Sequence, residues 1–126
     1  RVSLLVAVLD KICGLHISSS DIFINVAGGA RVEEPAVDLG IVAAMASSFL
    51  DRPLDGRTVV LGEVGLTGEV RAISQMEARV REAARLGFTR CLIPKTNAVK
   101  FSGMPKIDVI TISSLKELLE NSLYEK

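Results

Sequence analysis

Apolar residues recur at helical spacing from the start of the chain. Val2, Leu5, Val8, Leu9 and Ile12 share one face of residues 2–13, and Gly14 marks a stop. The period then changes to two. Ile22, Ile24 and Val26 alternate with Phe23, Asn25 and Ala27, which predicts a strand over 21–27 with one face more apolar. Gly28-Gly29 ends it, and a loop over 30–34 carries Arg31, Glu33 and Glu34. Pro35 opens a helix that runs to about Phe49, because a missing N–H costs nothing in a first turn. Its body is small and apolar, from Ala36 to Ala46, so burial on more than one side is expected. Glu33 and Glu34 stand where a helix dipole favours negative charge.

Asp51-Arg52-Pro53 and Asp55-Gly56 are turn signals. Residues 58–64 (Thr-Val-Val-Leu-Gly-Glu-Val) read as one buried strand. Gly65 and Gly68 bracket a tight turn, after which Glu69–Ile73 resumes an extended path. Ser74-x-x-Glu77 has the form of a capping box and starts a helix with Met76, Val80, Ala83, Ala84 and Leu86 inward and Gly87 as its stop. Short strands follow over 89–93, closed by Pro94, and over 107–112, with a short loop between them. Ser114-x-x-Glu117 repeats the capping box ahead of a terminal helix. This order predicts an α/β fold, a mixed sheet with packed helices. At 126 residues and 48% hydrophobic content, the chain suffices for one domain and is too short for two.

Charge adds little. Fifteen basic residues balance fifteen acidic ones, so nucleic-acid contact requires a local cluster or repeated subunits. Four Phe, one Tyr and no Trp make a base-stacking platform a poor expectation. Cys13 and Cys91 lie far apart in apolar runs and read as buried free thiols, which suits a reducing, cytoplasmic compartment. No stretch has the length of a membrane span, and no signal peptide opens the chain. Because the first residues already read as a core helix, the chain is expected to be a domain cut from a longer protein.

The usual site motifs are missing. There is no G-x-x-x-x-G-K-[ST], and Gly62, Gly65 and Gly68 do not have the dinucleotide spacing, so they read as turn glycines. His16 stands alone, and no metal site is expected. No serine sits in a G-x-S-x-G elbow. Ser74 and Ser114 read as caps, and Ser47 and Ser48 are placed to bond back to the preceding helical turn. Lys95, Lys100 and Lys106 read as a solvated edge.

Three stretches carry a family resemblance. They are Asn25-Val26-Ala27-Gly28-Gly29 with Glu34-Pro35-Ala36-Val37-Asp38-Leu39, then Gly62-Glu63-Val64-Gly65-Leu66-Thr67-Gly68-Glu69-Val70-Arg71, then Glu82–Phe88 closing with Leu92-Ile93-Pro94. Their order and spacing resemble the proteolytic domain of Lon, and more closely the C-terminal Lon-like domain of the RadA/Sms family of DNA repair proteins. The resemblance spans nearly the whole chain and implies a Lon proteolytic-domain-like fold, with residues 1–126 as one Lon-like domain.

In Lon the nucleophilic serine follows the proline matched by Pro35, which puts Ala36 at that position; the catalytic lysine falls on Arg79. Alanine has no hydroxyl to form an acyl-enzyme, and arginine stays protonated, so a Ser–Lys peptidase is the disfavoured alternative. Arg79 borders the inward stripe of its helix and is expected to pair with Glu33, Glu34 or Asp38. The resemblance further implies a non-catalytic scaffold in a DNA-dependent ATPase active in recombination and branch migration. It implies a homo-hexameric ring, contact with single-stranded or branched DNA, and a RecA-type recombinase as a possible partner. ATP, Mg and Zn would bind in an N-terminal part outside this chain, with no cofactor here. Arg1, Arg31 and Arg71 are the candidates to face DNA, since a ring repeats each of them and can present a positive collar to phosphates. A pure oligomerisation module is the remaining possibility.

Overall fold

The computed structural model describes Leu4, Leu5, Ala7, Val8, residues 35–100 and residues 106–123, with 98–100 described by backbone alone. The expected strand over 21–27, the loop over 30–34, and Arg1, Cys13, His16 and Arg31 lie outside the described residues.

Leu4, Leu5, Ala7 and Val8 are helical, and Leu5 and Val8 are buried as the spacing predicts. A 3-10 turn, Pro35–Val37, runs directly into helix α1, Asp38–Leu50. Leu39, Val42, Ala43, Met45 and Ala46 are all buried, so α1 packs on most of its surface. It ends at Asp51, which adopts left-handed backbone (φ 53°). Ser47 does not bond back into the helix; its hydroxyl donates forward to the Arg52 carbonyl and ties the turn to the helix end.

Strand β1 (Thr58–Val60) leads to β2 (Glu63–Val64) and β3 (Val70–Arg71), then helix α2 (Met76–Arg85) and strand β4 (Arg90–Pro94). A 3-10 segment (Lys95–Lys100), strand β5 (Asp108–Ile112) and helix α3 (Leu115–Ser122) complete the described order. The fold is α/β. Parallel and antiparallel pairings fall in two sheets, one of three parallel strands in the order β1-β4-β5 and one antiparallel hairpin of β2 and β3. In register, Val59 faces Cys91 and Cys91 faces Val109. The central strand β4 is covered on both faces, which is why Cys91, Leu92 and Ile93 form a continuous apolar run. Leu92 packs with Leu39, Val42, Ile112, Leu115, Leu118, Leu5 and Val8. Cys91 and Ile93 pack with Met76, Val80 and Ala83 of α2 on the opposite face.

The structure corrects three further expectations. Residues 58–64 are not one strand, because the chain breaks at Gly62 (φ 154°) and passes from one sheet to the other. Ser74 does not cap α2; the residue before the helix is Gln75, in left-handed backbone (φ 55°), and no side chain caps that end. Leu86 is 61% exposed, since the helix ends at Arg85 and Gly87 (φ 99°) turns the chain away before Leu86 can face inward. The second cap holds as expected: Ser114 accepts the Glu117 N–H at 3.1 Å, while the Glu117 carboxylate reaches back to Ser113. No helix among the described residues is long and apolar enough to cross a membrane.

Candidate functional site

The start of α1 is held against residues 62–64 by three hydrogen bonds. The Gly62 N–H donates to the Ala36 carbonyl, and the Leu39 N–H to the Gly62 carbonyl, both at 3.1 Å. The carboxylate of Asp38, fully buried, accepts the Val64 N–H at 2.9 Å. Only glycine fits at 62. A β-carbon there would stand 2.5 Å from Leu39 Cδ1 and 2.9 Å from Pro94 Cγ, on backbone that side chains rarely adopt. This clamp brings Glu63 alongside Ala36.

The hairpin then returns the chain to the same place. Glu63 pairs with Arg71 and Val64 with Val70. The tip is built by Glu69, whose carboxylate accepts from the Thr67 N–H at 3.1 Å, from the Thr67 hydroxyl, and from Arg71 Nη2 at 2.8 Å. That carboxylate lies over Gly65, where any β-carbon would collide with it. The Thr67 hydroxyl and then the Arg71 guanidinium hold the Glu69 carboxyl down at about 2. Beyond β3, the Asn97 amide secures Ile73 by bonding both its N–H and its carbonyl at 3.2 Å. The chain then enters α2, where Arg79 Nε donates to the Ser74 carbonyl at 3.1 Å.

The result is an open cavity of about 340 Å³ lined by Pro35, Ala36, Glu63, Ala72, Ile73, Ser74 and Arg79. Ala36 and Arg79, singled out in the sequence, line the same cavity. Glu63 and Ser74 line it too. Sequence reasoning missed Glu63, although it stands within the Gly-Glu-Val-Gly stretch, and it assigned Ser74 to a cap. The lining supplies a carboxylate, a hydroxyl and a permanently charged guanidinium. At Ala36 there is a methyl group, so no nucleophile can arise there. Among the described residues, no three His, Cys, Asp or Glu side chains gather as a metal site.

Arg71 is exposed on the hairpin beside this cavity and is ion-paired with Glu69 at 2.8 Å. The other two candidate arginines, Arg1 and Arg31, and the possible Arg79 partners Glu33 and Glu34, are outside the described residues. Lys95 and Lys106 are exposed.

A family model described as subunit ChlI of Mg-chelatase matches residues 3–97. The chain is 47% identical over 123 residues to DNA repair protein RadA of Halalkalibacterium halodurans, across 98% of this chain and 27% of that protein. It is 49% identical to DNA repair protein RadA of Bacillus subtilis, with the same coverage of both chains. DNA repair protein RadA of Listeria monocytogenes is 41% identical, again over 98% of this chain and 27% of its own length. The chain thus spans about a quarter of the length of the curated relatives it matches.

Proposed function

Since the chain belongs to the family described as subunit ChlI of Mg-chelatase and is homologous to one region of DNA repair protein RadA, we propose that it serves DNA repair as a non-catalytic, Lon-like scaffold domain. In this reading the whole protein is a RadA/Sms-type ATPase. The domain supports ring assembly and DNA binding during branch migration, and the nucleotide and zinc sites lie elsewhere in the protein.

The observation that carries the reading is the shared cavity of Ala36 and Arg79. A cleft lined at these two positions by a methyl group and a permanent cation can hold a chain segment or brace two elements. It cannot generate a Ser–Lys nucleophile. The test treats the full-length protein with a serine-directed fluorophosphonate probe and with unfolded casein. No labelling and no cleavage are expected; stoichiometric labelling, at Ser74 or any other serine, would overturn the proposal.

DNA contact by Arg31 and Arg71 is the finer part of the proposal. Phosphate contacts make binding indifferent to base sequence and steeply dependent on salt, with a slope near 0.9 per phosphate neutralised. Arg31→Ala and Arg71→Ala should weaken binding, flatten that slope and leave the ring intact. A second reading, an oligomerisation module without DNA contact, is favoured by one observation: the charge of Arg71 is already matched by Glu69. Unchanged DNA binding by both variants across a salt titration would select that second reading.

A further inference from the structure

The register of the hairpin leaves one residue in want of a strand partner. With Glu63 opposite Arg71, the residue opposite Ile73 would be Leu61. Leu61 has gone elsewhere: the chain breaks at Gly62, and the Leu61 N–H donates to the Leu92 carbonyl at 3.0 Å. The Asn97 side chain fills the gap. Its Oδ1 accepts the Ile73 N–H and its Nδ2 donates to the Ile73 carbonyl, both at 3.2 Å. A primary amide carries an acceptor and donors side by side, so it can replace the paired groups of a strand. Asn97 lies in the 3-10 segment that directly follows β4, so the amide is anchored next to the central, buried strand.

Residues 72–74 join the hairpin to α2, and all three line the cavity that Ala36 and Arg79 share. Ala72 and Ser74 are exposed, while Ile73 turns inward and packs, partly buried, against the cluster of Met76, Val80 and Ile93. At the far end Gln75 holds left-handed backbone (φ 55°), which a residue with a side chain adopts at a cost. A position at the end of an element is where a chain can absorb a change of backbone angle. The opposite side of the cavity is built differently. Ala36 and Glu63 flank Gly62, whose N–H and carbonyl are both bonded to the start of α1, and the buried Asp38 carboxylate ties Val64 to the same place. One wall is thus clamped to the core, and the other is a short extended strap pinned at Ile73.

We propose that residues 72–74 are a hinged wall of the cavity, turning at Gln75, and that Asn97 is the latch that holds it closed. Release of the two Asn97 bonds lets Ile73 leave its cluster and opens the cavity toward Ala36. The proposal stands apart from the DNA-repair reading, because it rests on the pairing of Ile73 and not on what the cavity holds. The first test is amide hydrogen exchange, read by NMR on the full chain without any substitution. A wall that opens by itself exposes Ile73 while the core stays folded. The Ile73 amide should therefore exchange at least about tenfold faster than that of Leu92 in the central strand, at a rate that low urea leaves unchanged. Equal protection of the two amides, with equal sensitivity to urea, would overturn the proposal. The second test reads access to the cavity. Ala36 is 3% exposed, and the thiol introduced by Ala36→Cys, in a chain that also carries Cys13→Ser, reports opening through its rate of reaction with iodoacetamide. Adding Asn97→Ala should raise that rate by about five- to a hundredfold, the worth of two hydrogen bonds. The gain should be present without urea and flat at low urea, whereas Cys91, buried in β4, should react only as urea unfolds the core. An unchanged rate in the Asn97→Ala chain, or a gain that grows with urea as the reaction of Cys91 does, would overturn the latch.

Discussion

The Asp38 carboxylate accepts the backbone N–H of Val64 at 2.9 Å, joining the first residue of α1 to a strand 26 positions further along the chain. Asp38 is fully buried, so water cannot replace this acceptor. Asp38→Ala should destabilise the fold by about 1–3 kcal/mol, the cost of leaving a buried donor unmet. Asp38→Asn keeps an acceptor at the same reach and should lose less. Denaturant midpoints measured at constant slope check both; an Ala variant as stable as the parent would show that the bond does not hold the helix start.

Gly62 should tolerate no side chain. Gly62→Ala places a β-carbon 2.5 Å from Leu39 Cδ1 and 2.9 Å from Pro94 Cγ, on backbone at φ 154°. Overpacking and backbone strain each cost about 1–3 kcal/mol, so the variant should unfold at clearly lower denaturant. Because residues 62–64 carry the clamp onto Ala36, the amides of Leu39 and Val64 should also exchange faster with solvent. Protection equal to that of the parent would count against the clamp.

The hairpin tip should be acid-sensitive. Glu69 titrates at about 2 rather than 4.5, chiefly through the Thr67 hydroxyl and then Arg71. A folded-state value below the ordinary one means that the carboxylate's ordering of the tip is complete above about 4.5. That ordering is lost as pH falls from there through about 2. An NMR titration of the Glu69 carboxyl should find this low midpoint. Thr67→Val should raise it most and Arg71→Ala less. A larger rise in the Arg71 variant would reverse the ranking of causes.

Cys91 should resist chemistry in the folded protein. It is fully buried in the central strand, and burial pushes its thiol up to about 12. Thiolate, the reactive form, is therefore scarce at any ordinary pH. Iodoacetamide at pH 8 should modify Cys91 only in denaturant. Rapid labelling without denaturant would mean that β4 opens.

Where burial is a local pattern, the sequence alone determined the outcome. The helical stripe of Met76, Val80 and Ala83 became the inner face of α2, and the apolar run Cys91–Ile93 became the central strand. Ser114 became a cap because a hydroxyl three residues before Glu117 needs only its own backbone to bond. The tertiary structure decided what depends on distant partners. Residues 58–64 have strand propensity throughout, yet Gly62 breaks them because its N–H and carbonyl bond to Ala36 and Leu39. Ser74-x-x-Glu77 has the letters of a cap, but Gln75 turns left-handed and Ser74 lines the cavity instead. Ala36 and Arg79 were each recognisable by resemblance; that they line one cavity follows from the folding back of the β2–β3 hairpin between them. Periodicity records which face of a segment leaves water, whereas the meeting of two segments is set by hydrogen bonds and close packing between residues far apart in the chain, and no local pattern carries those.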